Sequence, residues 1–213
     1  MMSDSDFQSD NQQNQLDIPL SNFSDLGTSP VNQNPSMLND KSLNDTNGEA
    51  DLLFLEAMKN IDYSPDIAYQ KLHQVIQIDP TYAKAYLYLG WINFRFLKDK
   101  NRAEELYKKS LEIDPTFGIT YIYLAELLIS LNRHEEALEL LNNSNKAQDL
   151  SLHALNDLKG EIYEFLGKYD ESLKYYREAI KYAFDNKSAN NSKQSLERVI
   201  QKTSGHILHL QNY

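Results

Sequence analysis

The sequence predicts an all-α fold built from antiparallel helical hairpins in tandem, and three observations carry that expectation. From about residue 50 onward, apolar residues recur with helical periodicity in a composition dominated by Leu, Tyr, Ala, Glu and Lys. Small residues then recur at Ala57, Gly90, Ala125 and Gly160, separated by 33, 35 and 35 positions. A second small set, Ala68, Ala103, Ala137 and Ser172, follows the first by 11, 13, 12 and 12 positions. Two helices that cross closely need a small residue on each, with bulky apolar residues around the crossing, here Leu72, Tyr107, Leu141 and Tyr176. Each period is therefore one hairpin, and the hairpins stack to bury a shared core.

Residues 1–48 precede the array. They hold seven Asp, one Lys and thirteen Asn or Gln, with Pro19, Pro30 and Pro35. Such a segment cannot bury enough apolar surface to offset its ordering entropy, so it is expected to be a disordered acidic tail. Its apolar cluster, Leu16, Ile18, Leu20, Phe23 and Leu26, reads either as chance apolar content or as a short docking motif. Four hairpins are expected within 49–186, at about 50–80, 82–115, 117–148 and 150–185. Breakers mark their turns: Ser64-Pro65, Asp99 to Asn101, Asn132 and Gly167. Asp-Pro-Thr at 79–81 and again at 114–116 is expected to end one hairpin and start the next, Pro being tolerated in a first helical turn. Residues 190–213 are expected to form a C-terminal capping helix and tail, with Leu196, Val199 and Ile200 on one stripe and Gly205 as the stop.

The bulk composition excludes several classes of function. At 213 residues and 41% hydrophobic content the chain suits one modest domain. The absence of Cys removes disulfides, thiolate zinc sites and thiol nucleophiles. The N-terminus has no basic-then-apolar leader, and no stretch approaches the roughly 18 apolar residues of a membrane span, so a cytoplasmic chain without membrane contact is expected. A net charge of −10, of which the tail carries −6, argues against binding the phosphate backbone of nucleic acid. There is no Gly-rich phosphate loop, nucleophile elbow or H-E-x-x-H, so neither catalysis nor a cofactor is expected. Of the five His, only His206 and His209 are near each other, and two ligands alone make a poor metal site.

The order Tyr86, Leu89, Gly90, Ala103, Tyr107, Pro115, followed by Tyr121, Leu124, Ala125, Ala137, Leu141, resembles the tetratricopeptide repeat. The resemblance covers roughly residues 50 to 185 in four units. The outer two depart from the pattern: the first lacks Gly at its small position, and the fourth has Asn156 and Lys159 where large apolar residues are usual. Terminal repeats are expected to be atypical because one face meets water.

The resemblance implies a right-handed α-solenoid whose concave wall is lined by the first helix of each hairpin. Its candidate partner-binding residues are Lys84, Leu87, Trp91, Phe94 and Arg95 in the second unit, and Ile119, Ile122, Glu126 and Ile129 in the third. In the fourth they are Asp157, Glu161 and Glu164, with Ser130, Ala154 and Phe165 also at wall positions. Equivalent residues are displaced by 35, so one row across the groove reads Trp91, Glu126, Glu161. Such a wall is apolar at one end and acidic at the other, and its complement is a peptide carrying Lys or Arg beside large apolar residues. Two plainer readings stand beside this one: the acids as a solvated helix face, and Trp91 as packing between hairpins. A clamp of Lys, Arg and Asn for acidic chaperone C-termini looks absent, since only Lys84 and Arg95 offer cations. The implied function is an adaptor or scaffold that binds a protein or peptide. The alternatives are a secretion- or assembly-type chaperone and a non-catalytic regulatory subunit. The capping helix argues for a monomer.

Overall fold

The computed structural model describes the backbone of residues 44–210 and the side chains of residues 48–204. The apolar cluster at residues 16–26 and the rings of His206 and His209 lie outside the described residues. Among those described there are helices and no strand. They pair in chain order as α1 (Asn44–Asn60) with α2 (Pro65–Ile78), α3 (Ala83–Ile92) with α4 (Lys100–Ile113), α5 (Gly118–Ser130) with α6 (His134–Asn142), and α7 (Leu152–Phe165) with α8 (Tyr169–Lys181). The second helix of each pair packs on the first helix of the next, and α9 (Asn186–Leu210) packs on α8. The result is an all-α solenoid of antiparallel hairpins.

The crossings obey a volume rule. A Cβ added at Gly90 would lie 2.8 Å from the ring of Tyr107, and one at Gly160 would lie 2.7 Å from the ring of Tyr176. Where the second helix supplies Leu72 or Leu141 instead, the first carries Ala57 or Ala125, and all four side chains are fully buried. Glycine thus accompanies tyrosine and alanine accompanies leucine, so each crossing is filled without a void or a clash. The polar ends of the two tyrosines fare differently. The Tyr176 hydroxyl donates to Glu164 at 3.1 Å, four residues past Gly160. The position four residues past Gly90 is Phe94, and the buried Tyr107 hydroxyl has no hydrogen-bond partner among the described residues.

Turn geometry explains the uneven spacing of small residues. In the third and fourth hairpins the chain turns through a left-handed residue, Asn132 (φ 58°) and Gly167 (φ 71°). Each is followed by an N–H that closes a wide turn, Arg133 to the Leu128 carbonyl and Lys168 to the Tyr163 carbonyl, both at 2.9 Å. The second hairpin has one residue more between its small positions. It absorbs the extra residue as a π-turn over Asn93–Leu97 and turns through Lys98 (φ 57°).

Between hairpins, Asp79 accepts hydrogen bonds from the Thr81 N–H (2.8 Å) and hydroxyl (2.6 Å), and Asp114 treats Thr116 the same way (2.9 and 2.6 Å). Pro80 and Pro115 therefore sit in a side-chain-closed turn rather than in the first turn of the next helix, which begins three residues later. Pro65, by contrast, does open α2.

The C-terminal helix departs from expectation at both ends. It begins at Asn186 and runs through Gly205 to Leu210. One glycine costs only about 1 kcal/mol inside a helix, too little to stop it without a left-handed turn. Ser192 and Val199 face inward and are fully buried, whereas Lys193, Gln194, Glu197, Gln201 and Ser204 are exposed. The 35-residue period carries into this helix, from Gly160 to Ser195 and from Asp157 to Ser192. It occupies the place of a fifth first helix, with an outer face that is polar apart from Ile200, which is exposed rather than on the inward stripe with Val199.

Candidate partner-binding wall

The wall is built from α3, α5 and α7, each the first helix of its hairpin, with α5 and α7 in direct contact. Helical spacing decides which side chains stay accessible. Leu87 and Ile122 are fully buried, being flanked by their own hairpin partner and by the preceding hairpin, so they brace the wall and offer nothing to a ligand. The other apolar candidates, Trp91, Phe94, Ile119 and Ile129, are half-buried. Trp91 meets the edge of Phe96 at 5.4 Å between ring centroids, and the Arg95 guanidinium lies 5.7 Å from the centre of the Phe94 ring. Lys84 is half-buried with its ammonium 6.0 Å from the Phe117 ring centre.

The acids divide into two kinds. Asp157 and Glu164 are engaged by α9. The Ser192 hydroxyl donates to Asp157. Arg198 grips Glu164 with two hydrogen bonds, from Nε at 2.9 Å and from Nη2 at 2.8 Å, and Lys202 adds a third at 2.7 Å. Burial works against ionisation of Glu164, but those bonds outweigh it and hold the carboxyl down to about 2. Burial raises Asp157, partly offset by Ser192 and by the charges of His153 and Arg198. These two acids fasten the C-terminal helix and are not free for a partner, contrary to the expectation from sequence.

Glu126 and Glu161 are the second kind. The Glu126 side chain is only 12% exposed, and its one ion pair is a loose contact with Arg95 at 3.9 Å. Burial pushes its carboxyl up to about 7, moderated by Arg95 and reinforced by the charge of Glu161. Glu161 is half-buried and makes no hydrogen bond or ion pair among the described residues. Burial, with the charge of Asp157 added, raises it to about 7 as well. Two adjacent carboxyls in the middle of the wall thus lack adequate counter-charge.

Sequence reasoning missed Arg198, Lys202 and Ser192 as partners of the wall acids. The signal was present, since Ser192 lies one 35-residue period after Asp157. It also missed the lip of the wall, where Phe96 and Leu97 are 44% and 56% exposed. Phe165, 63% exposed, stacks on the buried His134 ring at 3.5 Å with the planes 7° apart, so one face of the ring is covered by its neighbour. Among the described residues no group of three or more His, Asp or Glu is placed to hold a metal ion.

The sequence profile of the tetratricopeptide repeat matches residues 98–162, and a second profile of the same repeat matches residues 154–186. Residues 98–186 are tetratricopeptide repeats, set in a tetratricopeptide-like solenoid. The repeat is in general a non-catalytic protein-interaction fold. No curated protein matches the chain. Among solved structures the tetratricopeptide array is similar to the pilF protein of Pseudomonas aeruginosa, at TM-score 0.66 and 18% identity over 78% of this chain and 74% of that one. It is similar to MamA at 0.55 and 23% identity, over 62% of this chain and 77% of that one. It is also similar to a thermophilic TPR protein of Thermus thermophilus, at 0.58 and 16% identity over 71% of this chain and 84% of that one. At these identities the likeness is one of fold. No helix among the described residues is long and apolar enough to cross a membrane.

Proposed function

We propose that this tetratricopeptide array holds a segment of a partner polypeptide along the wall of α3, α5 and α7, as an adaptor or scaffold and without chemistry of its own. The observation that supports this reading is the pair Glu126 and Glu161, two carboxyls that burial leaves short of counter-charge, with the half-buried Trp91 one 35-residue register before Glu126. A partner Lys or Arg placed there supplies the missing charge, and apolar residues on either side cover Trp91, Phe94 and Ile129. Apolar contact gives affinity and the cation sets register. Binding such a cation also favours the ionised carboxyls, so association near neutral pH releases protons.

The test uses Glu126→Gln with Glu161→Gln, which removes the charge and keeps the side-chain shape. Affinity purification of both proteins, with mass spectrometry of what each retains, is expected to show one basic, apolar-rich partner missing from the variant. Equal recovery by both places the binding site elsewhere. Charge reversal at Asp157 or Glu164 is not a usable test, because it strips α9 of its anchors.

A further inference from the structure

The turn closing the second hairpin differs from the later ones at its left-handed residue, while the Phe-Leu pair before that residue recurs in the fourth hairpin as Phe165-Leu166, with Phe165 also exposed. The left-handed position holds Lys98 at φ 57°, where the third and fourth hairpins hold Asn132 and Gly167. Asn and Gly tolerate that backbone; a lysine pays for it sterically. The Lys98 backbone N–H closes the π-turn on the Asn93 carbonyl, but its side chain is exposed and makes no hydrogen bond or ion pair among the described residues. The two residues before it, Phe96 and Leu97, are large, apolar and exposed where turn positions are ordinarily polar. They continue the accessible face of Trp91, since Phe96 packs edge-on against the indole at 5.4 Å. Arg95 is held in a loose pair with Glu126 at 3.9 Å and lies over Phe94. Lys100 bonds the Ser130 carbonyl at 3.0 Å, and the neighbouring Asp99 is occupied in capping α4 through the Arg102 N–H. Lys98 is the cation of this lip left without a side-chain partner among the described residues.

The Lys98 ammonium thus has no ion-pair partner among the described residues and stands beside two apolar side chains that the fold leaves largely exposed. We infer that the lip formed by Trp91, Phe96, Leu97 and Lys98 docks an acidic, apolar stretch of a partner polypeptide. Aromatic or leucine side chains of the partner cover Phe96, Leu97 and the indole edge, and a partner carboxylate pairs with Lys98. This inference rests on the reading that the wall holds a partner polypeptide, and it gives that polypeptide a direction: its acidic, apolar end lies at the α3 turn and its basic end at Glu161.

A phage-displayed library of random dodecapeptides, panned on the full-length chain, supplies the probe. Synthetic copies of the recovered peptides are then titrated against the wild type and against Lys98→Gly, Phe96→Ser with Leu97→Ser, and Glu161→Gln. Lys98→Gly suits the left-handed turn, so its melting temperature rises and any loss of binding is not a loss of fold. The expected result is a peptide class rich in Asp or Glu with Phe, Trp or Leu. It binds Lys98→Gly about threefold more weakly and the double serine variant about tenfold more weakly. Peptides that are basic, or that bind both lip variants as tightly as the wild type, overturn the inference. If binding falls only on Glu161→Gln, the lip is wrong and the wall reading stands; if it falls on none of the three, both are wrong.

Discussion

Replacing Glu161 by Gln makes the protein more stable, and only above a defined pH. The carboxyl is raised from 4.5 to about 7 by burial and by the charge of Asp157. The folded chain therefore binds more protons than the unfolded chain between about 4.5 and 7, and this group's contribution to stability falls as pH rises through that window. At about 1.4 kcal/mol per pH unit, the full penalty on the ionised form is about 3 kcal/mol. Glu126 shares the same strain through its coupling to Glu161, so the single variant recovers about 1–3 kcal/mol at pH 8 and nothing at pH 4. That corresponds to a rise of about 2–10 °C in melting temperature. Urea denaturation followed by helical circular dichroism at pH 4, 6 and 8 measures it directly. A gain of the same size at all three pH values, or no gain at pH 8, refutes the reasoning that burial leaves this carboxyl unsatisfied.

Glu164 runs the other way: held down to about 2 by Arg198 and Lys202, it contributes stability above about 4.5 that is lost as pH falls toward 2. Arg198→Ala removes the bidentate partner of a nearly buried carboxylate and should cost about 2–4 kcal/mol, with α9 cut by protease sooner than α7. At the Gly90 crossing, Gly90→Ala forces a methyl to within 2.8 Å of the Tyr107 ring and should cost about 1–3 kcal/mol despite the better helix propensity of alanine. Adding Tyr107→Leu reproduces the Ala125 and Leu141 pair and should recover at least about 1 kcal/mol of coupling in a double-mutant cycle, whereas strict additivity of the two changes contradicts the volume rule. Tyr107→Phe deletes a buried hydroxyl without a partner and is expected to be neutral or stabilising by about 1 kcal/mol in urea titration; a clear loss shows that the hydroxyl has a bond in solution.

The hairpin array was legible because close helix crossings demand small residues at a fixed spacing, a constraint that survives in the sequence whatever lies on the surface. Even the 13-residue gap in the second hairpin was visible beforehand, although only the structure shows it absorbed as a π-turn. Accessibility on the wall was not legible. Leu87 and Ile122 follow the same 35-residue register as Trp91 and Glu126, yet a helix packed on several sides leaves only a narrow strip open. Charge satisfaction was also hidden, since Asp157 and Glu164 find their partners on a helix that the repeat pattern barely marks. The expected stop at Gly205 failed because a glycine ends a helix only where the chain turns left-handed, as it does at Gly167.

The central claim is that the wall of first helices, rather than the outer surface of second helices, meets the partner. A photocrosslinking amino acid placed in turn at Trp91 and Glu161 on the wall, and at Glu135 and Arg177 on the exposed surfaces of α6 and α8, tests it in the intact chain. The account predicts that both wall positions capture one and the same polypeptide, with the Glu161 adduct mapping near a Lys or Arg, while the outer positions capture none of it. Capture of that polypeptide from Glu135 or Arg177 and not from the wall contradicts it.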